Sequence, residues 1–412
     1  MFTKDELVEF LGVKFMLVTC FRTATSIQIR LKDFSCLMFL AFIRKLSLSM
    51  NYSVISLFSG AMGLDLGLEQ AGLHVVVGQD FDHDCAETAR LNNKHIVEGD
   101  IRGITSEQML SSAGLQRGEA FLVCGGPPCQ PFSTAGKRLG IEDPRGSLFK
   151  DFVRMIEGIQ PRFFLMENVR GLVSAKLSQP LPNATTVLDV VLEEFASLGY
   201  KTIYGVLDSV NYGAPQFRER LVIVGSRDNE DVFLPVPTHF QQHQCLEYQW
   251  HTLSDAIKDL ESNPGACATF SASRAAFLDL VPEGGNWRSL PENMQSEAMG
   301  GAYASGGGKV GFYRRLSYSQ PCPTVVTSPV QKSTMLCHPK FTRPLSVKEY
   351  ARVQGFPDSW SFAGTVSSQY KQIGNAVPIM LGKALGQMLI SVACQTHTIQ
   401  TKRSVLKRVQ AK

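Results

Sequence analysis

Between residues 53 and 226, short apolar runs alternate with stretches of helical spacing, and no other feature restricts the fold as much. SVISLF (53–58) reads as a buried strand ending in the glycine turn SGAMG, after which Leu64, Leu68 and Ala71 recur at helical spacing. HVVVG (74–78) is a second strand, running out at Gln79-Asp80. FLVC (121–124), RFFLM (162–166) and LVIVG (221–225) are further strands. Val191, Phe195 and Leu198 mark a helix closed by Gly199. Strands alternating with helices predict an α/β fold: a mostly parallel sheet covered on both faces.

The remaining chain divides by texture. From 227 to 340 proline, glycine and glutamine rise, and GGAYASGGGKVGF (300–312) carries no periodicity, which predicts a smaller, loop-rich domain. Order returns over 341–395, with RPLSVKEYARVQGFPDSW, QIGNAVP and an apolar helix over 379–394. That block is expected to complete the domain begun at 50–226. Residues 396–412 form a basic tail. Residues 1–49 do not fit the alternation, and Met50, three residues before the first strand, is the expected start of the folded chain.

Composition narrows the class. With 44% hydrophobic and 19% charged residues the 412-residue chain is globular rather than disordered. Its net charge of +4 is compatible with a polyanionic partner. Its ten cysteines include no CxxC pair, so no zinc spacing is present, no metal is expected, and a reducing compartment is the simplest reading. The most apolar run, FSCLMFLAFI (34–43), is too short to span a bilayer, and a cytoplasmic location is expected.

The first strand–turn–helix, FSGAMGLD (58–65), has the place of a cofactor site. Glycine there admits a ligand close to the backbone. Asp80 ends the second strand, where doubly wound folds hold an acid on ribose hydroxyls. Phe81 beside it offers an aromatic face for adenine, and Asp100 in EGDI (98–101) follows a third strand. The turn is neither GxGxxG nor GxxxxGK[ST], which speaks against a nicotinamide dinucleotide or a nucleoside triphosphate. An adenosine ligand without phosphates, S-adenosyl-L-methionine, fits better.

CGGPPCQPFS (124–133) ends another apolar strand with two glycines, two prolines and Cys129 on a stiff Pro-Cys step. Taken alone, Cys129 is either a buried small hydrophobe or a nucleophile. MENV (166–169), QFRER (216–220), RPLSVKEYARVQGFPDSW (343–360) and QIGNAVP (372–378) follow in that order. With FSGAMGLD and GGPPCQPFS they resemble the ordered motifs of the DNA (cytosine-5) methyltransferase family of the bacterial restriction–modification type. Met62 departs from the family pattern, standing where many members have glycine.

The resemblance implies a Rossmann-like S-adenosylmethionine-dependent methyltransferase fold with 227–340 as target-recognition domain. It implies that Cys129 adds to carbon 6 of cytosine, with Glu167 supplying a proton or hydrogen bond at N3 and Asn168 orienting the Pro-Cys segment. Arg220 would contact the cytosine O2, and Arg218 would brace the glutamate or a phosphate. Phe58, Gly60, Gly63, Asp80, Phe81, Asp100 and Asn375 would line the cofactor pocket. Thr324 in QPCPTVV would support the pocket of a flipped base. The loop after Cys129 offers Lys137, Arg138 and Arg145 to phosphates. GGGKVGFYRRLS offers Lys309, Arg314 and Arg315 to DNA, set against the plainer reading of an incidentally charged loop.

The expected activity is methyl transfer to carbon 5 of cytosine in a specific double-stranded sequence, by a monomer, with any cognate restriction endonuclease a separate protein. Alternatives are a transfer-RNA-type cytosine-5 methyltransferase and a DNA-binding relative without catalysis. The first lacks its CFT-type signature, and intact Cys129, Glu167 and Arg220 argue against the second.

Overall fold

The computed structural model describes residues 52–128, 147–181, 184–241, 248–306 and 308–410. The first 51 residues, including the expected start at Met50, lie outside the described residues. So does the loop carrying Cys129, Lys137, Arg138 and Arg145.

Seven strands form the central sheet: β1 (Ser53–Leu57), β2 (His74–Asp80), β3 (Ile96–Glu98), β4 (Leu122–Gly125), β5 (Phe163–Val169), β6 (Lys201–Asp208) and β7 (Glu219–Ser226). Their order is β3-β2-β1-β4-β5-β7-β6. The pairings from β3 through β5 are parallel; β7 runs antiparallel to both β5 and β6. β1, β4 and β5 are apolar without alternation because helices cover both their faces, and most of their residues are fully buried. β6 escapes the apolar pattern. Gly205 sits in its middle, where the Leu234 side chain fills the space a Cβ would need.

The helices between strands are α1 (Gly63–Ala71), α2 (His83–Leu91), α3 (Ser106–Ala113), α4 (Ser147–Ile159) and α5 (Val187–Ser197). α3, α4 and α5 bury Met109, Phe152, Ile156, Val191 and Phe195 against Ile55, Val123 and Phe164 of the sheet. Phe164 stacks on Phe195 with centroids 4.0 Å apart, which fixes α5 to β5.

The region 227–340 contains α6 (Ala272–Asp279) and α7 (Glu292–Met299) within long loops, around a cluster of Leu278, Val281, Trp287, Leu290, Met299 and Tyr313. The last block supplies α8 (Val347–Gln354), α9 (Val366–Asn375) and α10 (Ile379–Gln410). α10 runs on to Gln410, beyond the expected end at 394, so much of the basic tail is helical. Val366–Gln395 is long and apolar enough by composition to cross a membrane. Here Leu381, Leu385, Leu389 and Val392 are buried, and Gly382 lies against the backbone of Leu64 and Gly67 in α1, so α10 is a core helix.

Candidate active site

The parallel strands present their carboxyl ends along one edge, and β7, being antiparallel, starts at that same edge. Val169 pairs with Arg220 and Glu167 with Val222, so Glu167 and Arg220 are diagonal neighbours on one face of the β5–β7 ladder. Arg220 Nε lies 2.6 Å from Glu167 Oε1, both side chains 13% exposed: a mostly desolvated charge pair at the mouth of the sheet. Arg220 Nη1 also donates to the Glu219 carbonyl at 2.8 Å. The expected bracing of Glu167 by Arg218 is therefore corrected: Arg220 braces it.

The glycines before Cys129 have separate duties. β4 threads beside β1, and a Cβ on Gly125 would press on the Leu57 carbonyl. A Cβ on Gly126 would lie 2.9 Å from Glu167 Oε2, so only glycine lets the carboxylate stand this close to the Pro-Cys segment. Asn168, 6% exposed, donates from Nδ2 to the Pro127 carbonyl at 3.0 Å, while its Oδ1 accepts from the Val169 N–H at 2.9 Å. The strand carrying Glu167 is thus tied to the chain two residues before Cys129.

Arg218 is 1% exposed. It donates to the Val325 carbonyl at 2.8 Å and to the Gly374 carbonyl at 2.7 Å, and burial pushes its pKa well down. It belongs to the scaffold. Thr324 Oγ1 donates to the Phe217 carbonyl at 2.7 Å, which sets Thr324, half-buried, beside the start of β7.

At the other end of the edge, Gly60 adopts φ +54, which favours glycine, and a Cβ there would meet nothing within 4 Å. Its N–H donates to Asp80 Oδ2 at 2.7 Å, and the Asp82 N–H to Asp80 Oδ1 at 2.9 Å. Burial raises the Asp80 pKa against these bonds. Phe81, beside it, is 69% exposed, an aromatic face without cover. Phe58 has φ 55 and donates its N–H to Gln79 Oε1 at 3.3 Å. Asp100 caps the short helical turn Ile101–Gly103 and is ion-paired with Arg102, which holds its pKa down to about 2; the carboxylate expected in the cofactor pocket is engaged. Gly63 answers a packing need, since a Cβ would collide with the Val377 carbonyl. Asn375 closes α9 and is exposed. Met62, buried, occupies the left-handed region at φ 63 as N-cap of α1, a conformation that explains glycine's frequency at this position.

The basic residues expected on DNA behave differently. Arg315, 6% exposed, donates to the carbonyls of Leu278, Val281 and His338 and to Thr342 Oγ1, so its guanidinium is spent inside the protein. Arg314 Nε donates to the Met335 carbonyl at 3.2 Å, and Lys309 Nζ to the Tyr303 carbonyl at 2.8 Å. The expectation is corrected for Arg315, whose donors are engaged inside the protein, while Arg314 and Lys309 each give one donor to a backbone carbonyl.

Sequence reasoning missed the buried amides that join the edge together. Gln79 Nε2 donates to the Gly99 carbonyl at 2.6 Å, linking the ends of β1, β2 and β3. Gln216 Nε2 reaches Val353 O and Gln354 Oε1, while Gln354 Nε2 reaches the carbonyls of Ile373 and Ala376. The Q of QFRER and the Q of VQGFP carried the only local signal.

Sheet order, the single antiparallel strand and an acid at the end of β2 define the Rossmann-like fold of S-adenosylmethionine-dependent methyltransferases. The C-5 cytosine-specific DNA methylase model matches residues 52–391, and the chain belongs to that family. It is 40% identical over 344 residues to the Type II methyltransferase M.Sau96I of Staphylococcus aureus, covering 82% of this chain and 76% of that one. It is 40% identical over 357 residues to M.Eco47II of Escherichia coli, covering 82% and 79%. Among solved structures, a DNA modification methyltransferase encoded within an E. coli prophage has the same fold, with TM-score 0.59, 23% identity and coverage of 83% and 99%. The S. pombe Dnmt2 methyltransferase also shares it, with TM-score 0.52, 18% identity and coverage of 82% and 98%. The protein is a DNA (cytosine-5-)-methyltransferase.

Proposed function

We propose that the chain methylates carbon 5 of one cytosine, flipped out of a specific duplex sequence, through a covalent bond between Cys129 and carbon 6. The observation that supports this reading most is the Glu167–Arg220 pair beside Gly126, on a strand hydrogen-bonded to Pro127. The Cys129 thiolate adds to carbon 6. Glu167, in its protonated form, meets N3 and gives a proton or hydrogen bond that relieves the charge the addition places on the ring. Arg220 holds the carboxylate in place and turns its remaining N–H edge to O2. Carbon 5 is then nucleophilic. S-adenosylmethionine, when bound, supplies the methyl group. A base, for which a bound water serves, takes the carbon-5 proton; the C–H electron pair restores the 5,6 double bond and expels Cys129 as thiolate.

The chain's residues fit that cofactor. The space before Gly60 is open, Asp80 lies behind it, and the exposed Phe81 ring offers an adenine face. Phe58 and Asn375 complete the pocket walls. Asp100, held by Arg102, shapes the rim. Residues 227–340 act as the target-reading domain, with Thr324 supporting the flipped base and Lys137, Arg138 and Arg145 meeting phosphates. The enzyme works as a monomer on chromosomal DNA in the cytoplasm, and any partner endonuclease cuts separately.

Bisulfite sequencing of DNA from cells expressing the protein tests this reading. Protected cytosines at one fixed position of one short sequence are expected. Fully converted DNA, or protection confined to transfer RNA, would overturn it.

A further inference from the structure

Arg218 and Arg220 are two residues apart, yet only Arg220 meets an acid. Arg218 pairs with no carboxylate among the described residues, and its buried Nε has no hydrogen-bond partner. A buried guanidinium held by carbonyls alone is costly, and an apolar side chain would fill the space at lower cost. What an apolar side chain could not do is bind two segments at once. One arm of Arg218 holds Val325, next to Thr324; the other holds Gly374, next to Asn375. Its own backbone is fixed too: its N–H donates to Asp208 Oδ1 at 2.8 Å, and its carbonyl accepts from the Ser209 N–H and hydroxyl.

The Gly374 end of this link leads to the cofactor side. In the same helix α9, Gln372 Oε1 accepts from Thr88 Oγ1 of α2 at 2.6 Å, a buried bond. Lys371 Nζ pairs with Asp82 Oδ2 at 2.7 Å, two residues from Asp80. Asp82 in turn caps α2 through the N–H groups of Asp84 and Cys85. A contiguous path of hydrogen bonds joined by short backbone segments therefore runs from the Asp80–Asp82 turn to Lys371, along α9 through Gln372 to Gly374, across to Arg218, and two residues on to the Arg220–Glu167 pair.

We propose that Arg218 is a positioning residue that couples the cofactor pocket to the cytosine pocket: a ligand that orders the Asp80–Asn375 pocket also orders the strand presenting Arg220 and Glu167. This rests on the cofactor reading above. Coupling of this kind is a free energy shared by two sites, carried by a contiguous network.

The test is amide hydrogen exchange on the full chain with and without S-adenosylhomocysteine, the product of methyl transfer, as the probe. In the wild type the probe should slow exchange at Glu219–Val222 by about fivefold or more, the lower bound of ordinary coupling. Arg218→Met should still bind the probe but lose that slowing, and Arg218→Lys, which reaches one carbonyl, should keep part of it. Should Arg218→Met fail to fold, Arg218→Lys and Thr88→Val decide the matter. Thr88→Val cuts the chain at its far end without touching β7, and should also reduce the slowing. Wild-type slowing in Arg218→Met, or in both Arg218→Lys and Thr88→Val, overturns the coupling. A wild type that binds the probe with no change at Glu219–Val222 overturns it alone; a wild type that does not bind the probe overturns the cofactor reading instead.

Discussion

The sheet edge and the loop-rich region 227–340 use most of their cations differently. At the edge, ladder bonds satisfy the strand carbonyls, and the arginines at its mouth face acids: Arg220 meets Glu167 and Arg170 meets Glu219, while the buried Arg218 holds the carbonyls of Val325 and Gly374 from outside the sheet. In the loop-rich region few ladders exist, and cations act as donors to stranded carbonyls. Arg315 holds three, Arg274 holds Val330, Arg288 holds Gly308 and Lys332 holds Met299. Buried carbonyls need donors, and where the backbone cannot pair with itself, side chains supply them. A basic run in an irregular segment is therefore as much a scaffold signal as a nucleic-acid signal.

The sharpest way to break this comparison is to remove one charge from each region. Glu167→Gln should lower the methylation rate by about 10²–10⁴-fold, the span of a lost general acid, with little change in melting temperature. A large loss of stability with the rate intact would make Glu167 a scaffold residue. Arg315→Met should do the reverse. It leaves the Val281 and His338 carbonyls without their donor, each costing about 1–3 kcal/mol, while Leu278 O keeps the Val281 N–H and Thr342 keeps Asp279, so urea unfolding should report at least about 2 kcal/mol of destabilisation. Unchanged stability with weakened DNA binding would return Arg315 to the reading surface.

A smaller effect should appear with pH. His338, fully buried at the junction of the loop-rich region and the last block, has its pKa pushed down to about 4, chiefly by burial. Glu349 and Glu261 oppose that shift; Arg343 and Arg315 add to it. Above about pH 6.5 neither folded nor unfolded His338 binds a proton, so its contribution is complete. Between about 6.5 and 4 the unfolded chain takes up the proton and the folded one does not, so stability falls as pH falls, by up to about 3 kcal/mol. Below that, both are protonated and the loss levels off. His338→Gln should flatten this part of the stability–pH curve; an unaltered slope would place its origin elsewhere.

How far the sequence revealed these arrangements differs along the chain. Strand ends and turns were legible where apolar runs met glycine, as at SGAMG and CGGPP, because local sterics decide both. β6 was not, because Gly205 replaces an apolar residue to make room for Leu234, and burial on that strand is mixed. The opposite fates of Arg218 and Arg220 were hidden for another reason. Both read as one motif, but the partners of Arg218 lie 107 and 156 residues away, and no local spacing encodes them. The same holds for Arg315, whose carbonyl partners lie 37, 34 and 23 residues away.

A finer comparison lies within the cofactor end of the edge. Asp80→Ala should weaken S-adenosylmethionine by roughly 10–100-fold, the worth of a hydrogen bond to a charged group. Part of that loss comes from freeing Gly60, since Asp80 Oδ2 holds its N–H. Calorimetric titration measures it, and unchanged affinity would remove Asp80 from the site. The smallest effect on activity belongs to Met62→Gly. Relief of a left-handed backbone returns about 1 kcal/mol, while emptying the site of a fully buried methionine costs about 2–5 kcal/mol, so the melting temperature should fall by several degrees and methylation should persist.

The central claim is that Cys129 attacks carbon 6 of a flipped cytosine while Glu167 and Arg220 hold the ring. Once bisulfite sequencing has given the target, a duplex carrying 5-fluorocytosine at that position tests it directly. Fluorine cannot leave carbon 5 as a proton does, so the enzyme should be trapped as a denaturation-resistant adduct that forms only with S-adenosylmethionine. Peptide mass mapping should place the adduct on Cys129, Cys129→Ser should abolish it, and Glu167→Gln should slow it strongly. An adduct on another cysteine, or one that persists in Cys129→Ser, would contradict the account.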